Sequence, residues 1–209
     1  MKYTGAQVTF QEVPNEVSLS FLIQGCTLRC RGCHSADSWG LFSSGASMSF
    51  GASQNPDRDQ ANHQGIRSGS ELTPHHLQEL LATYEGFLTC VCFMGGEWHK
   101  NELSKLLTIC QQRGLKTCLY TGLELDQVAP ELIQLLDYIK VGPWVESRGG
   151  LDSPATNQRF LRLASLENLN QLFQKNNITE QTRKSTGGHH DSPNRTADSR
   201  QDSIRSRLY

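Results

Sequence analysis

The chain has 209 residues, enough for one ordinary domain with attachments. Lys and Arg number 20 against 21 Asp and Glu, so the net charge of -1 shows no electrostatic signature of nucleic-acid or anionic-membrane binding. The longest apolar run, residues 87–94, is far too short to cross a bilayer, and the first residues lack the apolar segment of a secretory signal. We therefore expect a cytoplasmic protein that binds neither nucleic acid nor membrane.

Two stretches of the chain are too polar to form a packed core. Residues 43–70 are 28 long and contain 11 Ser or Gly, and residues 176–209 contain almost no large apolar side chain before Ile204. Such segments cannot bury enough apolar surface to offset the entropy lost on ordering. The sequence predicts a domain over residues 1–175 with a disordered insertion at about 43–70, followed by a disordered tail over 176–209. The roles of both segments stay open.

Elsewhere the chain alternates between strand and helix patterns. Residues 8–12 predict an edge strand, and the apolar alternation over 17–24 predicts a second strand. Thr73 and Pro74 are typical of the start of a helix. Residues 87–94 predict a buried strand. Leucines at 103–107 predict a helix that ends at Gly114. A strand at 115–121, a short helix at 130–136, strands at 138–141 and 159–163, and a last helix capped by Ser165 complete the pattern.

Alternating strands and helices are typical of a parallel sheet with helices packed across it. About four to six such units are too few for a closed eight-fold barrel. The predicted fold class is therefore α/β, an open, partial TIM-type barrel. In parallel sheets, ligands bind at the carboxyl ends of the strands. Here those ends are followed by a cysteine loop, by Gly95 and Gly96, by Thr121, and by residues 142–143.

Three of the seven cysteines lie together, as Cys26-x3-Cys30-x2-Cys33, directly after a predicted strand. In a reducing compartment, clustered cysteines more often bind metal or do chemistry than form disulfides. Thiolates select soft metals and iron–sulfur clusters, and three thiolates would leave one iron of a cubane cluster free for an external ligand. The spacing favours a 4Fe–4S cluster. A zinc site completed by His34 or a distant cysteine, and unligated thiols, remain as alternatives.

With Gly95-Gly96-Glu97 after a later strand, the cysteine loop resembles the radical S-adenosylmethionine superfamily. The small size is similar to that of the enzymes that activate glycyl-radical enzymes. Within these, residues 21–35 (FLIQGCTLRCRGCHS) and 156–159 (TNQR) are most similar to the activating family of anaerobic (class III) ribonucleoside-triphosphate reductase. The similarity covers roughly residues 8–173 apart from the insertion.

The resemblance implies a cytoplasmic oxidoreductase with one 4Fe–4S cluster, held by Cys26, Cys30 and Cys33, and with S-adenosyl-L-methionine as cofactor. An electron from the cluster would cleave the cofactor, and the 5′-deoxyadenosyl radical would take a hydrogen atom from a glycine of the reductase. Reduced flavodoxin or ferredoxin is the implied electron donor. No catalytic side chain beyond the cluster and cofactor is implied. The residues implied to contact S-adenosylmethionine are Gly32, Cys33, His34, Gly95, Gly96, Glu97, Thr121 and Lys140.

The chain departs from the family's pattern at two positions. Many members carry an aromatic residue before the third cysteine, where this chain has Gly32, and Trp98 stands where proline often follows the glycine motif. Asp137 also occupies a position where relatives contact the cofactor. Two alternative functions stay open. One is a radical S-adenosylmethionine enzyme acting on a small molecule such as a 7-deazaguanine precursor, and the other is a non-catalytic zinc-binding module.

Overall fold

Eight strands form one mixed sheet in the computed structural model, which describes residues 1–39 and 70–174. The strands are β1 (Lys2–Thr9), β2 (Ser18–Ile23), β3 (Ser70–Glu71), β4 (Cys90–Met94), β5 (Lys116–Tyr120), β6 (Tyr138–Val141), β7 (Arg159–Arg162) and β8 (Glu167–Asn168). Their spatial order is β3-β1-β2-β4-β5-β6-β7-β8. The central strands β2, β4, β5 and β6 are parallel, whereas the four outer strands pair antiparallel. The predicted tail, and the predicted insertion except Ser70, lie outside the described residues.

Three α-helices connect the parallel strands: α1 (Pro74–Thr83), α2 (Lys100–Gln112) and α3 (Pro130–Ile133). The start of α1 is confirmed, because the Thr73 hydroxyl oxygen accepts the backbone N–H of His76 at 3.1 Å. Gly114 follows α2 with a φ of +71°, a conformation that favours glycine at a helix end. None of the helices in the described parts of the chain has the length and apolar composition needed to cross a bilayer.

Buried side chains pack against both faces of the sheet. On the helix face, strand residues such as Phe21 and Phe93 contact leucines of the three helices. On the second face, Cys90, Cys92 and Cys118 pack among aromatic side chains. Burial raises the pKa of Cys90 and Cys118, so these thiols stay protonated and behave as small apolar groups. Because β4 is covered on both faces, its sequence is apolar throughout.

Two predicted strand boundaries are wrong. β4 begins at Cys90, whereas the side chain of Phe87 is 77% exposed in the turn after α1, where its N–H donates to the Tyr84 carbonyl. β1 spans Lys2–Thr9 rather than residues 8–12. Among the described strands, β3 pairs only with Lys2 and Tyr3, so residues 8 and 9 do lie at an edge. Local apolar content does not reveal which side chains the rest of the chain will cover.

The predicted helix at Ser165 is also wrong, because residues 163–166 turn between β7 and β8 and helical residues begin only at 171. Leu166 adopts a φ of +53° in this turn, and its side chain is 65% exposed. Hairpin pairing outweighs the helical spacing of the leucines. The partial TIM-type barrel stays a prediction, since the described strands form an open sheet with antiparallel edges.

Candidate functional site

The cysteine loop, residues 24–35, leaves the carboxyl end of β2. The backbone N–H groups of Gly25 and Cys26 both donate to the Ser38 carbonyl, at 2.7 and 3.2 Å. The N–H of Cys33 donates to the Cys30 carbonyl at 3.1 Å, which closes the second half of the loop. All three thiols are free and half-buried. The loop therefore presents three thiols at one edge of the sheet.

The sulfur of Cys26 lies in a mixed electrostatic environment. Burial raises the pKa of the Cys26 thiol, and negative charge on Glu97 and Cys33 acts in the same direction. The backbone amides of Leu28 and Arg29 act in the opposite direction and lower the pKa. Donors of this kind stabilise a thiolate, which is the form that binds metal.

The thiols fit an iron–sulfur cluster by the chemistry of the donor set, since three free cysteines lie on one short loop. Within residues 1–39 and 70–174, no group of three or more His, Cys, Asp or Glu side chains is arranged to hold a metal ion. The assignment of Cys26, Cys30 and Cys33 as ligands therefore rests on their chemistry and spacing.

The glycine turn, residues 95–97, follows β4 at the same edge. Gly95 and Gly96 have φ values of +87° and +105°, a backbone conformation that residues with a Cβ atom rarely adopt. A Cβ on Gly95 would lie 2.6 Å from the Trp98 ring, and a Cβ on Gly96 would lie 3.3 Å from Met1 Sδ and 3.4 Å from Ile23 Cγ1. Both glycines are thus required by backbone conformation and close packing. The approach of a ligand to this backbone stays a prediction.

A partly buried hydrogen-bond network joins the ends of β4, β5 and β6. The Thr121 hydroxyl donates to Glu97 Oε1 at 2.6 Å and accepts the N–H of Leu123 at 3.0 Å. Lys140 Nζ donates to the carbonyls of Thr121 and Gly142, at 3.3 and 3.0 Å. Three residues predicted to contact the cofactor, Glu97, Thr121 and Lys140, are therefore brought together by the fold.

The charges in this network are strongly perturbed. Burial raises the pKa of Glu97, while the Thr121 hydroxyl and the positive charge of Lys140 oppose that rise. Burial lowers the pKa of Lys140 to about 8, against the opposing pull of the nearby thiolates and carboxylates, Cys30 and Cys33 first among them. A half-buried ammonium beside thiols and a carboxyl group would hold an anionic ligand effectively.

The loop after β6 contacts the far side of the cysteine loop. The rings of His34 and Trp144 lie 4.2 Å apart between centroids. Gly32 has a φ of +68°, and a Cβ there would lie 3.0 Å from the Glu146 carboxyl group. Gly32 brings no aromatic ring, but Trp144 provides one beside the loop. Sequence reasoning missed Trp144 and Glu146, because nothing local signals these contacts.

Two further sequence candidates have structural roles. Within the TNQR segment, Asn157 Nδ2 donates to the Pro143 carbonyl at 2.9 Å, which ties the loop after β6 to the start of β7. Asp137 lies at the opposite end of the sheet, where its carboxylate accepts the N–H of Thr117 at 2.8 Å near the start of β5. Asp137 therefore lies away from the cysteine loop, although relatives contact the cofactor from this position.

Buried polar atoms without hydrogen-bond partners concentrate at this edge. Among the described residues the atoms near this edge are both amide atoms of Gln24, Glu97 Oε2, Asn157 Oδ1 and the indole nitrogens of Trp39, Trp98 and Trp144, whereas Ser18 Oγ, which also lacks a partner, lies at the opposite end of β2. Leaving such an atom unpaired costs about 1–3 kcal/mol. The concentration near the ends of β2, β4 and β6 indicates a binding site for a polar ligand. Gln24 was not predicted; its one sequence signal is its place directly before Gly25 and Cys26.

The sheet, the cysteine loop and the surrounding polar groups define an α/β protein of iron–sulfur type. The family model described as "4Fe-4S single cluster domain" matches residues 16–164, which include the cysteine loop and all four parallel strands. The chain therefore belongs to the 4Fe-4S single cluster domain family. No curated protein and no solved structure matches the chain. The family supports the predicted 4Fe–4S cluster.

Proposed function

We propose that the chain is a radical S-adenosylmethionine enzyme whose 4Fe–4S cluster is held by Cys26, Cys30 and Cys33. The observation that carries the proposal is the convergence of the cysteine loop, the glycine turn and the half-buried Lys140 at one edge of the sheet. A closed structural site uses four protein ligands, whereas three thiolates leave one iron open to a small molecule.

The neighbouring residues offer the groups that the amino-acid end of S-adenosylmethionine needs. Lys140, with a pKa of about 8, is mostly protonated at neutral pH and suits a carboxylate. Glu97 Oε2 has no partner among the described residues and suits an ammonium group, while Thr121 fixes the other carboxyl oxygen. The rings of His34 and Trp144 offer aromatic surface to an adenine base.

A cluster held by Cys26, Cys30 and Cys33 would supply one electron for reductive cleavage of the sulfonium C–S bond, which would release methionine, and the 5′-deoxyadenosyl group would leave as 5′-deoxyadenosine after taking a hydrogen atom from the substrate. The protein's part is to orient the cofactor and to exclude water from the site. We propose that the substrate is a glycine of an anaerobic ribonucleoside-triphosphate reductase, with reduced flavodoxin or ferredoxin as electron donor. The support is the similarity of residues 21–35 and 156–159 to the reductase-activating proteins.

The first test is cluster content in anaerobically reconstituted protein. We expect about four iron and four sulfide per chain, and loss of both in Cys33→Ala. Cys110→Ala is the matched control, because Cys110 is buried on α2 on the helix face and should not hold iron. Zinc without acid-labile sulfide would contradict the cluster and favour the non-catalytic zinc-binding module.

The second test is turnover. With dithionite and S-adenosylmethionine, we expect 5′-deoxyadenosine by chromatography, and a glycyl-radical signal by electron paramagnetic resonance once the reductase is added. A full cluster that yields no 5′-deoxyadenosine would contradict the radical chemistry. Formation of 5′-deoxyadenosine without a glycyl radical would favour the small-molecule alternative, such as a 7-deazaguanine precursor.

A further inference from the structure

The proposed function assigns no role to the polar side chain of Gln24. Gln24 is 0% exposed, and neither its amide nitrogen nor its amide oxygen has a hydrogen-bond partner among the described residues. A carboxamide carries two N–H donors and one acceptor oxygen. Because burying such groups unpaired costs about 1–3 kcal/mol each, the amide indicates a partner outside the described residues, and a ligand on the adjoining cysteine loop would supply one.

The backbone keeps Gln24 close to the thiols. The N–H of Gln24 donates to the Lys2 carbonyl at 2.9 Å, which continues the pairing of β2 with β1 beyond Ile23. Gly25 then turns the chain with a φ of +92°, and Cys26 follows. Since two residues span at most about 7 Å, the Cα atom of Gln24 lies within that distance of the Cα atom of Cys26.

Gln24 and Lys140 share one face of the sheet. Leu22 pairs in register with Met94, which packs on the second face, and alternation along the strand assigns Gln24 to that face. Lys140 lies two residues beyond Tyr138, a buried residue of the same face. Both polar groups therefore stand at the carboxyl edge of the second face, beside the cysteine loop.

We propose that the Gln24 side chain donates an N–H···S hydrogen bond to the iron–sulfur cluster held by the cysteine loop and thereby raises the reduction potential of that cluster. The inference rests on the proposed cluster ligands. Hydrogen bonds to the sulfurs stabilise the more negative, reduced cluster. Gln24 is placed to add a side-chain donor beside the cysteine loop. Gln24 is a positioning residue and takes no part in bond cleavage.

Gln24→Met tests the donor, because methionine keeps the length of the side chain and has no N–H group. Ser18→Ala is the matched control at the opposite end of β2. The reduction potential of the cluster-loaded proteins is measured by a titration followed by electron paramagnetic resonance, without S-adenosylmethionine. We expect Gln24→Met to shift the one-electron equilibrium about tenfold toward the oxidised cluster, a fall of about 59 mV. Ser18→Ala should leave the potential unchanged.

Gln24→Glu checks the sign of the effect, because an ionised carboxylate has no N–H and adds negative charge, so the potential should fall at least as far. This variant decides the question if Gln24→Met takes up no cluster. A full cluster with wild-type potential in the variants would overturn the inference, as would failure of both variants to load a cluster. If the cluster-loaded wild-type protein does not cleave S-adenosylmethionine, that result would instead count against the proposed function alone.

Discussion

Adding a methyl group at Gly95 should destabilise the protein more than the same change at Gly86. Both glycines have positive φ, +87° and +81°, so alanine at either position costs about 1–2 kcal/mol in backbone strain. Their surroundings differ. A Cβ on Gly95 would lie 2.6 Å from Trp98 Cη2 and 3.2 Å from Cζ3, whereas a Cβ on Gly86 would meet no atom within 4 Å.

The contact at Gly95 can be relieved only if the Trp98 ring or the glycine turn moves. The closest separation is about 1 Å shorter than the optimal distance between non-bonded carbon atoms. Overpacking of this kind costs about 1–3 kcal/mol. We therefore expect Gly95→Ala to lose about 2–5 kcal/mol of unfolding free energy, and Gly86→Ala about 1–2 kcal/mol.

Urea unfolding with linear extrapolation measures both changes, provided that the slopes agree with that of the wild type. Losses that agree within about 0.5 kcal/mol would refute the reasoning, because the steric contribution of Trp98 would then be absent. A second readout is binding of S-adenosylmethionine to the cluster-loaded proteins. We expect Gly95→Ala to keep its iron but to bind the cofactor more weakly, since Glu97 lies in the displaced turn, whereas Gly86→Ala should bind normally.

Two further predictions concern stability away from the site. Burial raises the pKa of Glu16, but hydrogen bonds from Lys116 and other neighbours outweigh burial and hold this pKa below its ordinary value. The ionised carboxylate therefore stabilises the fold above about pH 4.5. This stabilisation is lost as the pH falls through the lower pKa of the folded state. Glu16→Gln should therefore cost about 1–3 kcal/mol at pH 7 and clearly less at pH 3 in thermal unfolding; the same loss at both pH values would contradict this. Phe93→Ala should cost about 3–5 kcal/mol because Phe93 is 0% exposed, whereas Phe87→Ala, at an exposed side chain, should stay within about 0.5 kcal/mol. Similar losses in chemical denaturation would show that Phe87 is covered after all.

The strands and helices of the sheet could be predicted where the signal is local and periodic. Alternation over 17–24 predicted β2, and Thr73 predicted the start of α1, because side-chain period and helix capping act over a few residues. The same kinds of pattern gave wrong predictions of a strand beginning at Phe87 and of a helix beginning at Ser165. Whether an apolar residue is buried there depends on which distant segment packs over it, and local spacing carries no such information.

The candidate site divides in the same way. Residue type and spacing predicted Cys26, Cys30 and Cys33 as cluster ligands, since ligand chemistry is a property of the side chains themselves. The neighbours of these thiols depended on the fold. His34 and Trp144 are 110 positions apart in the chain but have their rings 4.2 Å apart. Gln24 looks like an ordinary polar residue until its burial is known. Only tertiary packing decides which polar atoms lose contact with water, and that loss makes an unpaired amide a sign of a bound partner.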